Sequence, residues 1–178
     1  SKWLGVKYSV FVNSGSSANF ITFSALKNYI KKREIIVPTL TWPSDIMAII
    51  NNNFVPKFVD IDLKTLSMDP NLIIKNLNSK TGAVFVTHAQ GFNGLTDRLL
   101  KILKEKKIIL IEDVCESHGA KHNKKLGTYG LISNFSFYYT HHMSTIEGGM
   151  VCTNNYKIYQ YLRMFRSHGM VRETKGHS

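Results

Sequence analysis

The stretch IILIEDVCESHG, residues 108–119, decides the fold class of this chain. Its first four residues are all aliphatic, and such runs are typical of strands that are buried on both faces of a parallel sheet. Glu112 and Asp113 follow directly, where an acid seldom serves only to face solvent. Because ligands of open α/β sheets bind beyond the carboxyl ends of the strands, this stretch also indicates a site at that edge of the sheet.

Short apolar runs alternate with helical patterns along the rest of the chain. Strands are predicted at residues 10–12, 35–37, 54–60, 83–86, 108–111, 132–139 and 149–153, and helices at 19–32, 43–50, 70–77, 95–105 and 156–168. This alternation predicts a three-layer α/β/α architecture around a mostly parallel sheet. The absence of repeats and linkers from the sequence indicates one domain over residues 1–178. We expect it to be incomplete at both ends, since the chain begins just before a strand and stops in a polar tail, residues 172–178.

The composition is that of an ordinary globular protein. Of the 178 residues, 43% are hydrophobic and 20% are charged, which excludes a disordered or collagen-like chain. The cysteines, Cys115 and Cys152, are too few for a disulfide framework and suggest reduced thiols in the cytoplasm. The sequence contains no signal peptide and no apolar run near the roughly 20 residues that cross a membrane, so we expect no membrane partner.

The net charge of +11 admits three interpretations: a nucleic-acid binder, an enzyme for anionic substrates, or a lysine-rich background. The lysines are scattered, mostly at predicted helix ends and turns. In the sequence, no helix has a continuous basic face interleaved with aromatic residues. We therefore expect no nucleic-acid partner.

Polar clusters follow the predicted strands. The segment NSGSSAN, residues 13–19, places small residues at a helix start, where N–H groups and the helix dipole suit a phosphate, although a simple N-cap is the ordinary role of such residues. Trp42 follows the second strand and can stack on a flat ring, although a lone tryptophan is more often a core residue. The segments THAQGFNG, 87–94, and THHMSTIEGG, 140–149, follow later strands.

A metal site is the alternative interpretation of these clusters. The candidate ligands are His88, His118, His141, His142 and Asp113. Their spacing matches no standard zinc pattern, and adjacent histidines point in different directions on a regular backbone, so we predict no metal site. Whether His88 and His118 line a site or only satisfy strand ends stays open at this point.

A family resemblance rests on a series of motifs in a fixed order. The motifs are SGSSAN at 14–19, TW at 41–42, ED at 112–113 with ESHG at 116–119, FSF at 135–137 and EGG at 147–149. Together they resemble the DegT/StrS-type sugar aminotransferases, which are fold-type I pyridoxal-phosphate (PLP) enzymes that modify nucleotide-linked keto sugars. Each motif alone is weak, but the ordered set spans nearly the whole chain. The resemblance implies a PLP-binding large domain over residues 1–178, without the family's smaller C-terminal domain.

One departure from the family pattern changes the expected reaction. Transaminating members carry a Schiff-base lysine in the loop after the Ser-Phe strand, where this chain has His141, and residues 134–149 contain no lysine. An imidazole cannot form a Schiff base with the cofactor, but it can move protons near neutral pH. The substitution resembles the 3-dehydratases of dideoxysugar synthesis. Iron–sulfur members of that group have cysteines soon after the last predicted helix, whereas residues 163–178 contain none.

The resemblance therefore implies the cluster-free kind, which acts on GDP-4-keto-6-deoxymannose in colitose synthesis. His141 is the expected catalytic base. The expected cofactor contacts are Gly15, Ser16, Ser17 and Ser136 on the phosphate, Asp113 on the pyridine nitrogen, Glu116 on the ring hydroxyl and Trp42 against the ring.

The implied function is a PLP- and pyridoxamine-phosphate (PMP)-dependent lyase of lipopolysaccharide biosynthesis. Its expected partners are a nucleotide-diphosphate keto sugar, L-glutamate as the amino donor and a second copy of the chain. The alternatives are a nucleotide-sugar aminotransferase and a non-catalytic cofactor-binding homologue in which His141 is only a loop residue.

Overall fold

The structure, a computed structural model, describes residues 1–174. Seven strands and five α-helices occur in this part of the chain. The strands are β1 (Tyr8–Val12), β2 (Glu34–Pro38), β3 (Val55–Val59), β4 (Thr81–Thr87), β5 (Ile109–Asp113), β6 (Ile132–Ser136) and β7 (Gly149–Thr153). The helices are α1 (Gly15–Lys27), α2 (Pro43–Asn51), α3 (Pro70–Asn76), α4 (Asp97–Glu105) and α5 (Tyr156–Arg166).

The strands form a single sheet in the order β1-β7-β6-β5-β4-β2-β3. The neighbouring pairs from β6 to β3 are all parallel, whereas β7 runs antiparallel to both β6 and β1. The prediction of a mostly parallel sheet is confirmed. The parallel arrangement brings the carboxyl ends of β2, β4, β5 and β6 to one edge of the sheet, which is where a site is expected.

Helices cover both faces of the sheet, as the three-layer prediction requires. On one face α1, α2 and α5 enclose a core that includes Phe23, Ile49 and Leu162. On the other face α3 and α4 bury Ile73 and Leu99 against the sheet. Because both faces are covered, the central strands are apolar on both sides, which explains the continuous aliphatic runs in the sequence.

Several element boundaries differ from the predictions. Helix α1 begins at Gly15 rather than residue 19, because Ser14 already caps it, and it ends at Lys27 rather than residue 32. Strand β6 ends at Ser136, three residues early, as the chain turns into the next loop. Helix α5 ends at Arg166 because His168 has a positive φ of 59°, which cannot continue a right-handed helix. Residues 175–178 of the predicted polar tail lie outside the described residues.

The described residues also bear on the expected environment. Cys115 and Cys152 are both free thiols. Across residues 1–174, the structure contains no helix with the length and hydrophobicity to cross a membrane.

Candidate active site

A pocket of about 840 Å³ opens at the predicted edge of the sheet. It lies between the N-terminus of α1 and the residues at the ends of β2, β4, β5 and β6. All the predicted site residues except Ser17 line it: Gly15, Ser16, Trp42, Asp113, Glu116, Ser136 and His141. The fold thus brings together residues that are up to 126 positions apart in the sequence (15 to 141).

The N-terminus of α1 forms one end of the pocket. Ser14 is the N-cap, and its Oγ accepts a hydrogen bond from the Ser17 N–H at 3.1 Å. The N–H groups of Gly15 and Ser16 have no partner within the helix, as is general for a first turn. They lie at the positive end of the helix dipole, so this end of the pocket suits an anion.

Two of the predicted phosphate residues differ in their surroundings. A Cβ at position 15 would lie 2.7 Å from the Cβ of Ser136, so glycine lets α1 approach the end of β6 this closely. Ser17, in contrast, lines a separate groove beside Phe11 and Phe20. Because its N–H is already bonded to Ser14, the phosphate contact of Ser17 stays a prediction.

Asp113 ends β5 and is only 4% exposed. Its Oδ1 accepts a hydrogen bond from the Cys115 N–H at 2.8 Å. Burial raises the pKa of Asp113, and the bond from Cys115 partly opposes that rise. A cationic ring nitrogen beside this carboxylate would relieve the cost of burying its charge.

Sequence reasoning missed Asp45, which also lines the pocket. Its carboxyl group is 1% exposed and accepts a hydrogen bond from Asn19 Nδ2 at 2.6 Å and another from the Thr41 hydroxyl. Burial, and then the negative charge of Asp113, raise the pKa of Asp45 well above its usual value. In the sequence Asp45 resembles an ordinary acid in the first turn of α2. The available signal was that it comes four residues after Thr41, which itself follows the end of β2.

Glu116 is held by the short helical turn Ala89–Gly91 that follows β4. Its Oε2 accepts a hydrogen bond from the Gln90 N–H at 3.0 Å, and Gln90 adopts a positive φ of 54°. The neighbouring Ser117 Oγ accepts the Gly91 N–H at 3.0 Å. These bonds fix the turn beside the pocket and leave the Glu116 carboxylate at its wall.

His141 lies in the loop between β6 and β7. Its N–H donates to the Tyr138 carbonyl oxygen at 3.0 Å, and its ring is partly exposed at the pocket wall. Among the described residues that line the pocket, none is a lysine. The loop therefore offers the pocket an imidazole, which can accept and donate a proton, rather than an amine.

Trp42 lies on the pocket wall at the start of α2. Its side chain is 68% exposed, so the alternative of a core residue is wrong. An exposed indole on a pocket wall can pack on a flat ring.

His88 and His118 make contacts within the surrounding scaffold. His88 is fully buried; its Nδ1 accepts the Gly94 N–H at 3.1 Å, and its Nε2 lies 3.2 Å from Glu112. His118 Nδ1 accepts the Met143 N–H at 3.3 Å, and its ring lies 6.1 Å from that of His141. Neither lines the pocket, and within residues 1–174 no three His, Cys, Asp or Glu side chains are grouped to hold a metal ion.

The family comparison agrees with this geometry. The sequence model of the DegT/DnrJ/EryC1/StrS aminotransferase family matches residues 1–178. The chain belongs to this family. The resemblance that the ordered motifs indicated is therefore confirmed.

The individual relatives include both 3-dehydratases and aminotransferases. GDP-4-keto-6-deoxy-D-mannose 3-dehydratase of Yersinia pseudotuberculosis is 37% identical over 178 residues, covering 97% of this chain and 45% of that protein. The Escherichia coli GDP-4-keto-6-deoxy-D-mannose-3-dehydratase with bound hydrated PLP superposes with a TM-score of 0.91 at 38% identity, covering 96% and 46% of the chains. Helicobacter pylori PseC, an aminotransferase of pseudoaminic acid biosynthesis, superposes at 0.86 with 27% identity over 95% and 46%.

Two further structures of the dehydratase have the same TM-score, identity and coverage as the E. coli one. One holds a trapped PLP–glutamate geminal diamine, and the other is a histidine-to-asparagine variant with bound GDP-perosamine. This chain spans about half the length of the relatives that it matches.

Proposed function

We propose that residues 1–178 form the cofactor-binding large domain of a PLP/PMP-dependent lyase, a 3-dehydratase that removes the C3 hydroxyl of a nucleotide-linked 4-keto-6-deoxysugar. GDP-4-keto-6-deoxymannose is the proposed substrate. The observation that carries the proposal is His141 on the pocket wall, in the loop where the family resemblance implies a lysine in transaminating members. The identity to GDP-sugar dehydratases supports the choice of substrate.

The residues of the pocket fit PLP or PMP. The first turn of α1 offers N–H donors for a phosphate, and Gly15 leaves room where a Cβ would meet Ser136. Asp113 offers a buried carboxylate for a cationic pyridine nitrogen, and Trp42 offers a flat exposed ring. The pocket volume of about 840 Å³ is ordinary for a small-molecule site.

Each residue has a separate proposed role. PMP, when bound, supplies an amino group for the C4 ketone of the sugar and a ring that accepts electrons. Asp113 keeps a proton on the pyridine nitrogen, which lets the ring accept those electrons. His141 would act as the base at C4′ of the cofactor, and the proton that it removes would balance the loss of the C3 hydroxyl as water. Glu116 orients the ring hydroxyl, and Ser136 adds a hydroxyl to the phosphate site.

The proposed partners follow from the relatives. L-glutamate would regenerate PMP from PLP, and the trapped PLP–glutamate complex of a related dehydratase supports this choice. We also propose that the protein acts in the cytoplasm as a homodimer, in colitose and lipopolysaccharide synthesis. A lipopolysaccharide biosynthesis protein of Salmonella typhimurium is 30% identical over 176 residues, covering 94% of this chain and 40% of that protein, and this supports the pathway.

The test is a titration of the full-length protein with PLP and then L-glutamate, followed by borohydride and peptide mapping. Conversion of PLP to PMP without a lysine adduct is expected, together with release of the 3-deoxy-4-keto sugar and ammonia from GDP-4-keto-6-deoxymannose. A trapped lysine adduct would instead identify an aminotransferase. Cofactor binding without conversion would identify a non-catalytic homologue.

A further inference from the structure

His118 contacts the loop between β6 and β7, residues 137–148, from outside that loop. Its Nδ1 accepts the Met143 N–H at 3.3 Å. Within residues 1–174, every other hydrogen bond of this loop stays inside the loop or reaches Ser136 at the end of β6. The bond to His118 is therefore the loop's only hydrogen bond to another part of the described chain.

The loop has little buried surface that could hold it without His118. Its residues from 138 to 147 are all exposed except His141, which is half-buried. Ile146 has a positive φ of 70°, which is rare for a β-branched residue and persists only where surrounding contacts impose it. The observed loop conformation therefore needs a contact from outside the loop.

The hydrogen bond of His118, rather than its packing, explains a histidine at this position. The ring stacks on that of Phe135, with centroids 5.8 Å apart. Because Nδ1 accepts, the neutral ring carries its proton on Nε2, which is buried and has no hydrogen-bond partner within residues 1–174. A phenylalanine could pack in the same place without burying an unpaired N–H. What histidine adds is therefore the acceptor for Met143.

His141 takes its position from the same loop. Its ring has no hydrogen-bond partner within residues 1–174, and its centroid lies 6.1 Å from that of His118 and 6.2 Å from that of Tyr138. Met143 follows two residues later, so a displacement of the loop there would move the imidazole of His141. Burial, and then the charges of His141 and His142, lower the pKa of His118 to about 4, so Nδ1 is available as an acceptor near pH 7.

We propose that His118 is a positioning residue that holds the β6–β7 loop through the Met143 N–H and so keeps the His141 imidazole at the pocket wall. This inference rests on the proposed function for its purpose, because His141 is the proposed base. A base must lie within hydrogen-bond reach of the proton that it takes. A loop that loses its contact with His118 should therefore slow the proton transfer more than it weakens cofactor binding.

The first experiment measures hydrogen exchange at the Met143 amide in the full-length protein without cofactor, near pH 7. His118→Phe keeps a ring but has no acceptor, and its Met143 amide should exchange about tenfold faster than in wild type. His118→Asn has an oxygen one bond from Cγ, as Nδ1 is, and should retain most of the protection. His122→Gln, whose ring contacts Asp97 instead, is the control and should match wild type. Equal exchange of the Met143 amide in wild type and His118→Phe would overturn the proposal.

The second experiment measures PLP affinity and the single-turnover conversion of PLP to PMP by L-glutamate in the same proteins. His118→Phe should convert PLP at least about tenfold more slowly, with a PLP dissociation constant within about threefold of wild type. His118→Asn should recover most of the rate. Equal rates for the two variants would overturn the positioning role. A wild type that does not convert PLP would instead refute the proposed function, while exchange at Met143 still decides whether His118 holds the loop.

Discussion

Glu112 and Asp113 are adjacent in the sequence but have opposite surroundings in the structure. Consecutive strand residues point to opposite faces of a sheet, so only one of the two can face the helices α1 and α2. Asp113 does so and reaches the pocket. Glu112 faces the other side and accepts the N–H groups of Tyr129 and Gly130. One acid therefore belongs to the candidate chemistry and its neighbour to the scaffold.

The role of Asp113 predicts a kinetic defect in Asp113→Asn. The asparagine oxygen can still accept the Cys115 N–H, but it cannot hold a proton on the pyridine nitrogen. The conversion of PLP to PMP by L-glutamate should slow by about 10²- to 10⁴-fold, while PMP binding weakens much less. Single-turnover absorbance measurements test this expectation. An unchanged rate in Asp113→Asn would remove Asp113 from the proposed mechanism.

His118 predicts a pH dependence of stability. Burial, and then the charges of His141 and His142, lower its pKa to about 4. The unfolded chain therefore binds a proton near pH 6.5, whereas the folded protein does not until about pH 4, so stability should fall as the pH drops through this window. In urea titrations, the free energy of unfolding of His118→Gln should depend less steeply on pH across this window. The difference in slope should correspond to at most one bound proton. His122→Gln, a matched variant of the histidine whose Nε2 lies 2.8 Å from Asp97 Oδ1, serves as the control. Equal slopes for His118→Gln and wild type would contradict the expectation.

At the scale of elements, Ser14 both caps α1 and lines the pocket. Ser14→Ala removes the acceptor of the Ser17 N–H and should lower the free energy of unfolding by about 1 kcal/mol. Ser14→Asn, which restores a good N-cap, should recover most of this loss in urea denaturation. Equal stability of Ser14→Ala and Ser14→Asn would contradict this prediction.

Much of the fold followed from the sequence because its strands are apolar on both faces. The aliphatic run at 108–111 marked the centre of the sheet, and β5 indeed pairs with β4 and β6 there. Boundaries were less accurate, since capping by Ser14 and the positive φ of His168 depend on single residues. Asp45 was missed because α2 brings it to the pocket that Asp113 also lines, 68 positions away in the sequence (45 to 113), and no local pattern encodes that proximity.

At the scale of the whole molecule, Glu112 joins the centre of the sheet to the segment before β6. Oε1 accepts the N–H groups of Tyr129 and Gly130 at 2.8 and 2.7 Å, and Oε2 accepts the Gly127 N–H at 2.7 Å. His88 Nδ1 accepts a backbone N–H, so its Nε2 carries the proton and donates to Oε2. Every acceptor position thus has a donor, which makes this fully buried side chain hard to replace.

The same geometry predicts a large cost for Glu112→Gln. The glutamine amide has one oxygen, so its NH₂ group would face N–H donors on one side, and the free energy of unfolding should fall by about 3 kcal/mol or more. Burial opposes ionisation, but His88 and the backbone N–H donors hold the pKa of Glu112 below its usual value. Its contribution to stability is therefore present above about pH 4.5 and lost as the pH falls further. Urea unfolding from pH 7 to 3 should show this acid limb in the wild type and in Glu105→Gln, an exposed control. If Glu112→Gln unfolded with the wild-type midpoint at pH 7, the hydrogen bonds of Glu112 would contribute nothing to holding β4, β5 and the segment before β6 together.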